Sequence, residues 1–456
     1  MNVVILGITP IGIVLAKYML EEGHDIHVVD PSAESIAHLQ SYVDVRALQG
    51  DIRDTEVLRE AQIHNAQLVL AVTQSDTNNI VSALGLHTLA PKARRVIWVR
   101  DEQLTGNNTL WNNSPLEQVM LLTPERNALH QVMALLEIPL AFEVASFLDG
   151  KIRVAGFRLQ ENSPLIGKKL SEIDKTQENR TLVVAVERDN QTVIPDGDFV
   201  FEDQDNLYIS LLAGRELSDS FEFMGLEQSH LRMLQTHYLI GGGGRMALHL
   251  AKKLEEAGIH PTIIEKGRNR CLELAAQLSN TRIIHGDVTD PALLQELIDP
   301  ATSYIAVSGN QEINFMSSIL ARRLGAGRSI TMFDNEGYIA LSSGMGIDAA
   351  IHPNFTAIGQ VIGLLRDCDV VDAHLMMGGR LEAVLIRLDH SAVMIGKPLH
   401  QAGIPKGMII AAVMRGKHFM LPDGNTLLRP NDLILTVSDR QNKMKRKMRQ
   451  LITPRR

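Results

Sequence analysis

Two glycine clusters, 235 residues apart, carry the chemistry this sequence offers. One reads Gly7-Ile8-Thr9-Pro10-Ile11-Gly12 and the other Gly242-Gly243-Gly244-Arg245-Met246-Ala247. Each follows a short apolar run of strand type, Val3–Leu6 or Tyr238–Ile240. Each precedes an amphipathic stretch, in the first copy Ile11, Val14, Leu15, Tyr18 and Met19 at helical spacing. Strand, tight turn and helix in that order make a cradle for phosphate. The first glycine permits the turn, and the second lets the backbone approach a pyrophosphate. Free N–H groups at the helix N-terminus then bind phosphate oxygens. Gly23 falls where the C-cap of that helix is expected. The next strand, Ile26–Val29, ends in Asp30, and Glu265 stands 235 residues further on. A carboxylate there accepts both ribose hydroxyls and repels a 2′-phosphate. Asp30 and Glu265 therefore favour NAD(H), or an adenosine nucleotide such as ATP or ADP, over NADP(H).

The two cradles are unequal. The second has the full G-x-G-x-x-A pattern. In the first, Thr9 puts a Cβ where backbone should meet the pyrophosphate, and Pro10 has no N–H to donate. A weaker or differently shaped site is expected there. Arg100, after a predicted strand at Val96–Val99, can compensate by reaching phosphate or adenine. The matching place in the second copy is near Asp334, which cannot, and Arg245 within the loop is the substitute. Thr73 and Gln74, and likewise Ser308 and Gly309, follow the predicted fourth strands, Leu68–Val72 and Tyr304–Val307. They belong either to the ligand crevice or to plain turns. Asp51 and Asp287 read as adenine or ribose contacts or as helix N-caps.

Other chemistries find no support. The sixteen histidines show neither metal-ligand spacing nor a partnered cluster, and no P-loop or nucleophile elbow occurs. No metal site and no catalytic residue are predicted. A dehydrogenase needs a proton-transfer group beside a substrate pocket, so a tandem NAD-dependent oxidoreductase is the alternative reading rather than the first. Cys271, in a predicted helix at Arg268–Leu278, reads as packed.

The elements that position these residues form a repeat. Gly50-Asp51 matches Gly286-Asp287, and Asn79 matches Asn314. Further on, Ser163-Pro-Leu-Ile-Gly-Lys resembles Ala392-Val-Met-Ile-Gly-Lys, Ile194-Pro-Asp-Gly resembles Leu421-Pro-Asp-Gly, and Asp205-Asn-Leu resembles Asp432-Leu. The fold class expected is α/β: two tandem Rossmann-like parallel-sheet lobes, each followed by a small α+β C-terminal lobe. The four domains are placed at 1–135, 140–221, 233–366 and 370–453, with the polar segment Arg215–Gln235 as linker. The formal charge of −8 argues against a general nucleic-acid binder, and two cysteines in 456 residues fit a reducing cytosol. No apolar run is long enough for a membrane span, and the start MNVVILGITPIG lacks the features of a secretory signal.

The order of motifs resembles the RCK (KTN) regulatory unit, the nucleotide-binding N lobe plus C lobe of potassium channels and transporters. In the C lobes the resemblance is carried by Ser163-Pro-Leu-Ile-Gly-Lys-Lys-Leu, Val184-Ala-Val-Glu-Arg, Ile194-Pro-Asp-Gly and Asp205-Asn-Leu-Tyr. The second copy has Ile395-Gly-Lys-Pro-Leu, Ala411-Ala-Val-Met-Arg, Leu421-Pro-Asp-Gly and Asp432-Leu-Ile-Leu. Two such units in one chain resemble the peripheral cytoplasmic subunits of bacterial Trk potassium uptake systems. That resemblance implies a homo-oligomeric ring, a dimer or tetramer, beneath a TrkH- or TrkG-like membrane pore, on the inner face of the plasma membrane. It implies NAD(H) and adenine-nucleotide binding with gating as the output. Carried over, the nucleotide positions are Gly7, Ile8, Thr9, Pro10, Ile11, Asp30, Thr73, Gln74 and Arg100, then Gly242 to Met246 and Glu265. The C-terminal stretch from Asp439, with Met444, Met448 and Leu451 at helical spacing among basic residues, reads as a solvated basic tail or a lipid-touching helix.

Overall fold

A computed structural model describes residues 1–101, 104, 111–112, 114–173, 181–213, 217–225, 237–365 and 369–440. The chain divides into two compact units. One holds Met1–Asn127 with Asn354–Leu364, and the other holds Ala128–Pro353 with Leu365–Arg456.

The first unit is a parallel sheet. Its elements are β1 (Asn2–Leu6), α1 (Pro10–Glu21), β2 (Asp25–Asp30), α2 (Ala33–Gln40), β3 (Arg46–Gln49), α3 (Thr55–Glu60), β4 (Leu68–Ala71), α4 (Asp76–Leu89), β5 (Arg94–Trp98) and β6 (Val119–Leu122). The strand order is β3-β2-β1-β4-β5-β6, and every pairing is parallel. Helices on both faces bury the central strands, so β1 and β4 read as unbroken apolar runs. The order reverses between β1 and β4, and a ligand crevice opens at such a switch point. Gly23 has φ +78°, the left-handed conformation expected after the C-cap of α1. From the far end of the chain, Gln360 reaches this unit and accepts the Thr123 N–H through Oε1 at 3.2 Å.

The second unit begins within α5 (Pro124–Glu137) and continues into a five-stranded antiparallel sheet. Its strands are β7 (Glu143–Phe147), β8 (Ile152–Arg158), β9 (Leu182–Arg188), β10 (Gln191–Val193) and β11 (Asn206–Leu212), in the order β10-β9-β11-β8-β7. Helix α6 (Leu217–Met224) follows. It corrects the linker expectation: Phe221 and Met224 are buried in the core, and a mean polarity over Arg215–Gln235 concealed their spacing. Residues 215, 216 and 226–235 of that segment, and the basic stretch from 441, lie outside the described residues.

A second parallel sheet repeats the first. Its elements are β12 (His237–Gly241), α7 (Arg245–Glu256), β13 (Thr262–Glu265), α8 (Arg268–Gln277), β14 (Arg282–His285), α9 (Pro291–Leu297), β15 (Thr302–Ala306), α10 (Gln311–Arg323), β16 (Arg328–Met332), α11 (Glu336–Ser342) and β17 (Ala349–Ile351), followed by α12 (Pro353–Leu365). The strand order is β14-β13-β12-β15-β16-β17. Arg328 at the start of β16 donates to the carbonyls of Leu135 and Ala141, tying the end of α5 to this sheet. Burial pulls the Arg328 guanidinium down to about 10. The last sheet is antiparallel: β18 (Val370–Met376), β19 (Leu381–Arg387), β20 (Met408–Arg415), β21 (His418–Met420) and β22 (Leu433–Asp439), in the order β18-β19-β22-β20-β21.

The two antiparallel sheets share one apolar core, built from Phe147, Val184 and Tyr208 of one and Met376, Leu385 and Leu435 of the other. The repeated Asp205 and Asp432 are buried within their sheets, and each accepts a bidentate pair from an arginine, Arg188 or Arg415, at 2.7–3.0 Å. Those arginines end the Val-Glu-Arg and Val-Met-Arg motifs. The motifs are therefore structural staples, strong because the geometry is forked and charge-assisted.

Candidate nucleotide site

Both glycine loops sit at the switch point of their sheet. Gly7 has φ +106° and Gly242 φ +96°, a region that only glycine enters freely. A Cβ on Gly7 would stand 2.9 Å from Thr73, and one on Gly242 would stand 2.7 Å from Ser308. The structure thus brings each loop against the residue that follows the fourth strand. The Gly7 N–H donates to Val29 O and the Gly242 N–H to Ile264 O, both at 2.9 Å, which lays each loop across the end of the second strand.

The acid at that strand's end grips the loop. Asp30 accepts the Ile8 N–H at 2.7 Å and the Ser32 N–H at 2.9 Å. Glu265 accepts the Gly243 N–H at 2.7 Å and the Gly267 N–H at 2.6 Å. A carboxylate group has room for more acceptor contacts than these two. Side-chain length and loop residue are matched. A Cβ on Gly243 would lie 2.8 Å from Glu265 Oε2 and 2.9 Å from its Cγ. In the first lobe the acid is one carbon shorter, and Ile8 takes that place.

The helix N-termini differ. Thr9 is the N-cap of α1; its hydroxyl accepts the Gly12 N–H at 3.3 Å and donates to Val72 O at 2.7 Å. Its side chain is buried, turned into the protein. The expected obstruction by the Thr9 Cβ is corrected accordingly: the side chain turns inward, where its hydroxyl satisfies one helix-end donor itself. Pro10 is exposed at the first helical position, and Ile11 is buried. Gly12 is required, since a Cβ there would stand 2.4 Å from Gly7 O. In the second lobe Gly244 is the N-cap of α7 with no side-chain bond, and a Cβ there would meet nothing within 4 Å. Arg245 is exposed beside it, while the Met246 side chain is buried and offers only backbone.

Across each crevice a buried asparagine organises the turn after the fourth strand. Asn79 Oδ1 accepts from Thr73 N at 2.9 Å and Oγ1 at 2.7 Å, and its Nδ2 donates to Thr73 O at 3.1 Å and Trp98 O at 2.8 Å. Asn314 does the same with Ser308 and Met332 O. Gln74 and Gly309, the next residues, are exposed. Arg100 folds back onto Gln74 in the first lobe. Its Nη1 donates to Gln74 Oε1 at 3.1 Å, Nη2 to Gln74 O, and Nε to Asp76 Oδ1 at 3.3 Å, with the guanidinium 4.9 Å from the Trp98 ring centre. At the matching place Asp334 gives its N–H to Gln311 Oε1 at 3.3 Å.

Asp51 and Asp287 are not helix N-caps. That role falls three residues later, on Asp54 and Asp290. Asp51 closes its own turn with Arg53, whose guanidinium holds its carboxyl down at about 2. Asp287 accepts from Thr289 and pairs at 2.8 Å with Lys266, which holds its carboxyl well below the usual carboxylate range. Cys271 is buried on α8 with Sγ 3.4 Å from Glu265 O, and burial pushes its thiol up. Among the described residues no group of three His, Cys, Asp or Glu is placed to hold a metal ion, and no helix is long and apolar enough to cross a membrane.

Residues 3–108 and 238–353 match the TrkA-N domain, and residues 154–216 and 383–447 match the TrkA-C domain. The Trk system potassium uptake protein TrkA of Halomonas elongata is 30% identical over 97% of this chain and 96% of its own length. The Vibrio alginolyticus TrkA is 28% identical over 95% of each. The chain belongs to the TrkA family. The names of these relatives are those of potassium uptake proteins and not of oxidoreductases. The fold is also that of the GsuK RCK domain, with TM-score 0.60, 16% identity, and coverage of 98% of this chain and 94% of that one. It is shared with a GsuK channel bound to NAD, with TM-score 0.58, 17% identity, and coverage of 99% and 78%.

Within this TrkA-family fold the structure adds residues the sequence reading did not assign. Asn79 and Asn314 were visible only as a matched pair, and their spacing was the one signal available. Asp76 is tied to Arg100. Lys266 follows Glu265 directly and reaches Asp287. Arg270 on α8 donates through Nε to Gly243 O at 2.7 Å. Its counterpart position in the first lobe is Ser35, so the repeat gave no sign of it.

Proposed function

We propose that the chain is a nucleotide-sensing regulatory subunit that gates a membrane potassium uptake pore. The observation that carries this is the second cradle: the exposed, uncapped N-terminus of α7 beside Gly242–Gly244, with Glu265 at the ribose end. Phosphate oxygens accept from the N–H groups there, and the helix dipole favours their charge. NAD(H) is the ligand proposed for this lobe, with ATP and ADP as competing occupants. The proposed binding residues are Gly242, Gly243, Gly244, Arg245, Met246 and Glu265, with Ser308, Gly309 and Asp287 at the rim. In the first lobe they are Gly7, Ile8, Thr9, Pro10, Ile11 and Gly12, with Asp30, Asp51, Thr73, Gln74 and Arg100. The GsuK channel bound to NAD supports this choice by its fold.

A ligand shifts a conformational equilibrium only by as much as it prefers one state. A nucleotide spanning the crevice from β12 to β15 does so if the crevice differs in width between open and closed pore. The pore state then alters nucleotide affinity in return. We place the chain as a homo-oligomeric ring on the cytoplasmic face of a TrkH- or TrkG-like subunit. The four lobes are proposed at 1–135, 140–221, 233–366 and 370–453.

The test is potassium flux through the co-purified pore in vesicles, with NADH, ATP or ADP added to the full chain. Flux that changes with nucleotide, while NADH is not oxidised with any carbonyl substrate in a panel, supports the reading. Flux indifferent to nucleotide, or steady NADH turnover, contradicts it.

A further inference from the structure

We propose that Arg270 is a positioning residue for the second cradle, aiming the Gly244 N–H into the space a nucleotide phosphate takes. The proposal rests on reading that lobe as a nucleotide site, and adds what sets its loop. The Gly243 carbonyl and the Gly244 N–H belong to one planar trans peptide, so they point in opposite directions. Arg270 Nε holds the carbonyl at 2.7 Å, which draws it toward α8. The N–H is thereby turned away from α8. The preceding peptide is held as well, because the Gly243 N–H is bound by Glu265 Oε2 at 2.7 Å. Two successive peptides are thus fixed from outside the loop.

The loop needs this clamp because of its composition. The loop glycines Gly242, Gly243 and Gly244, which follow Gly241, place no Cβ against rotation of the peptides between them. Packing does not hold Gly244 either, since a Cβ there would meet nothing within 4 Å. Arg270 is itself anchored, with Nη1 on Glu273 Oε2 at 2.7 Å one turn along the helix. The first lobe dispenses with the clamp. Ser35 stands where Arg270 does, and the loop there is restrained by the side chains of Ile8 and Thr9, the Pro10 ring, and the Thr9 hydroxyl on Val72 O. The arginine is present in the lobe whose loop is all glycine and absent where the loop stiffens itself.

The test is calorimetric titration of the full chain with NADH, ATP and ADP-ribose at two salt concentrations. The proteins are the wild type, Gly244→Val, Arg270→Ala and Arg270→Lys. Arg270→Ala should weaken all three ligands by a similar factor, about tenfold, as for loss of one charge-assisted hydrogen bond. Its salt dependence and melting temperature should match the wild type, and Arg270→Lys should recover part of the loss. Unchanged affinity in Arg270→Ala, while Gly244→Val still abolishes binding, overturns the role given to Arg270 and leaves the site standing. A loss accompanied by a flatter salt dependence overturns it too, because that marks a direct phosphate contact. Wild-type binding that Gly244→Val does not touch overturns both the site and the proposal.

Discussion

The two Rossmann lobes solve one problem in opposite ways. In the first lobe the loop is stiff by composition, and Thr9 caps its own helix, bonding Gly12 N and Val72 O. In the second the loop is all glycine, the helix end carries no side-chain cap, and Glu265 and Arg270 hold the loop from outside. A capped helix end is more stable alone and less available to an anion. An uncapped end costs stability until a ligand completes it. A repeated sequence pattern need not build two identical loops, because one hydroxyl occupies a helix-end donor that a glycine N-cap cannot.

The largest effect is expected at Gly244. Gly244→Val should weaken NADH binding by at least about a hundredfold, since the branched side chain fills the phosphate's place. The melting temperature should stay within about 2 °C, because a Cβ at Gly244 would meet nothing within 4 Å. Calorimetry and a thermal melt on one sample check both halves.

At the other loop the expected effects reverse. Gly12→Ala should destabilise the first unit by about 1–3 kcal/mol, since its Cβ would meet the Gly7 carbonyl. Urea unfolding measures that loss, and second-lobe affinity should not change.

The antiparallel sheets carry a similar inequality. Glu143 accepts from the Tyr208 hydroxyl at 2.7 Å and the Met377 N–H at 3.1 Å, and burial pushes its carboxyl up to about 7. Asp372 stands 229 residues on and is 42% exposed. Between an unfolded value of about 4.5 and a folded value of about 7, the folded chain holds the extra proton. Stability from this group is therefore complete at the acid end of that window and falls as pH rises through it, by no more than about 1.4 kcal/mol per pH unit. Denaturation between pH 5 and 8 should show that slope in the wild type and a flatter one in Glu143→Gln.

The smallest effect is expected at Thr9. Thr9→Gly should cost only about 0.3 kcal/mol of stability through the lost cap, because glycine is itself a tolerated N-cap residue. It should also raise first-lobe nucleotide affinity a few-fold, read by titration in the Gly244→Val background.

Much of this was legible in the sequence. The apolar runs and glycine positions specify strand, turn and helix, so β1, α1, β2 and their repeats fall where periodicity puts them. The acids at Asp30 and Glu265 were visible because their place at a strand end has a chemical reason. The direction of a side chain was not legible. Thr9 looked like an obstruction by residue type, yet it turns inward because Val72 O is within reach. Asp51 and Asp287 compete with Asp54 and Asp290 for the cap, and the length of the turn decides. Arg270 answers a backbone carbonyl, a contact that leaves no mark in any motif. The helix at Leu217–Met224 rests on two buried apolar residues in a polar stretch.

The most direct test of the unequal cradles is a structure of the full chain at sub-saturating NADH, read for which crevice fills. The account predicts nucleotide density in the second lobe first, with phosphate on the N-terminus of α7 and ribose on Glu265. Density confined to the first lobe, or NADH bound away from both glycine loops, would contradict it.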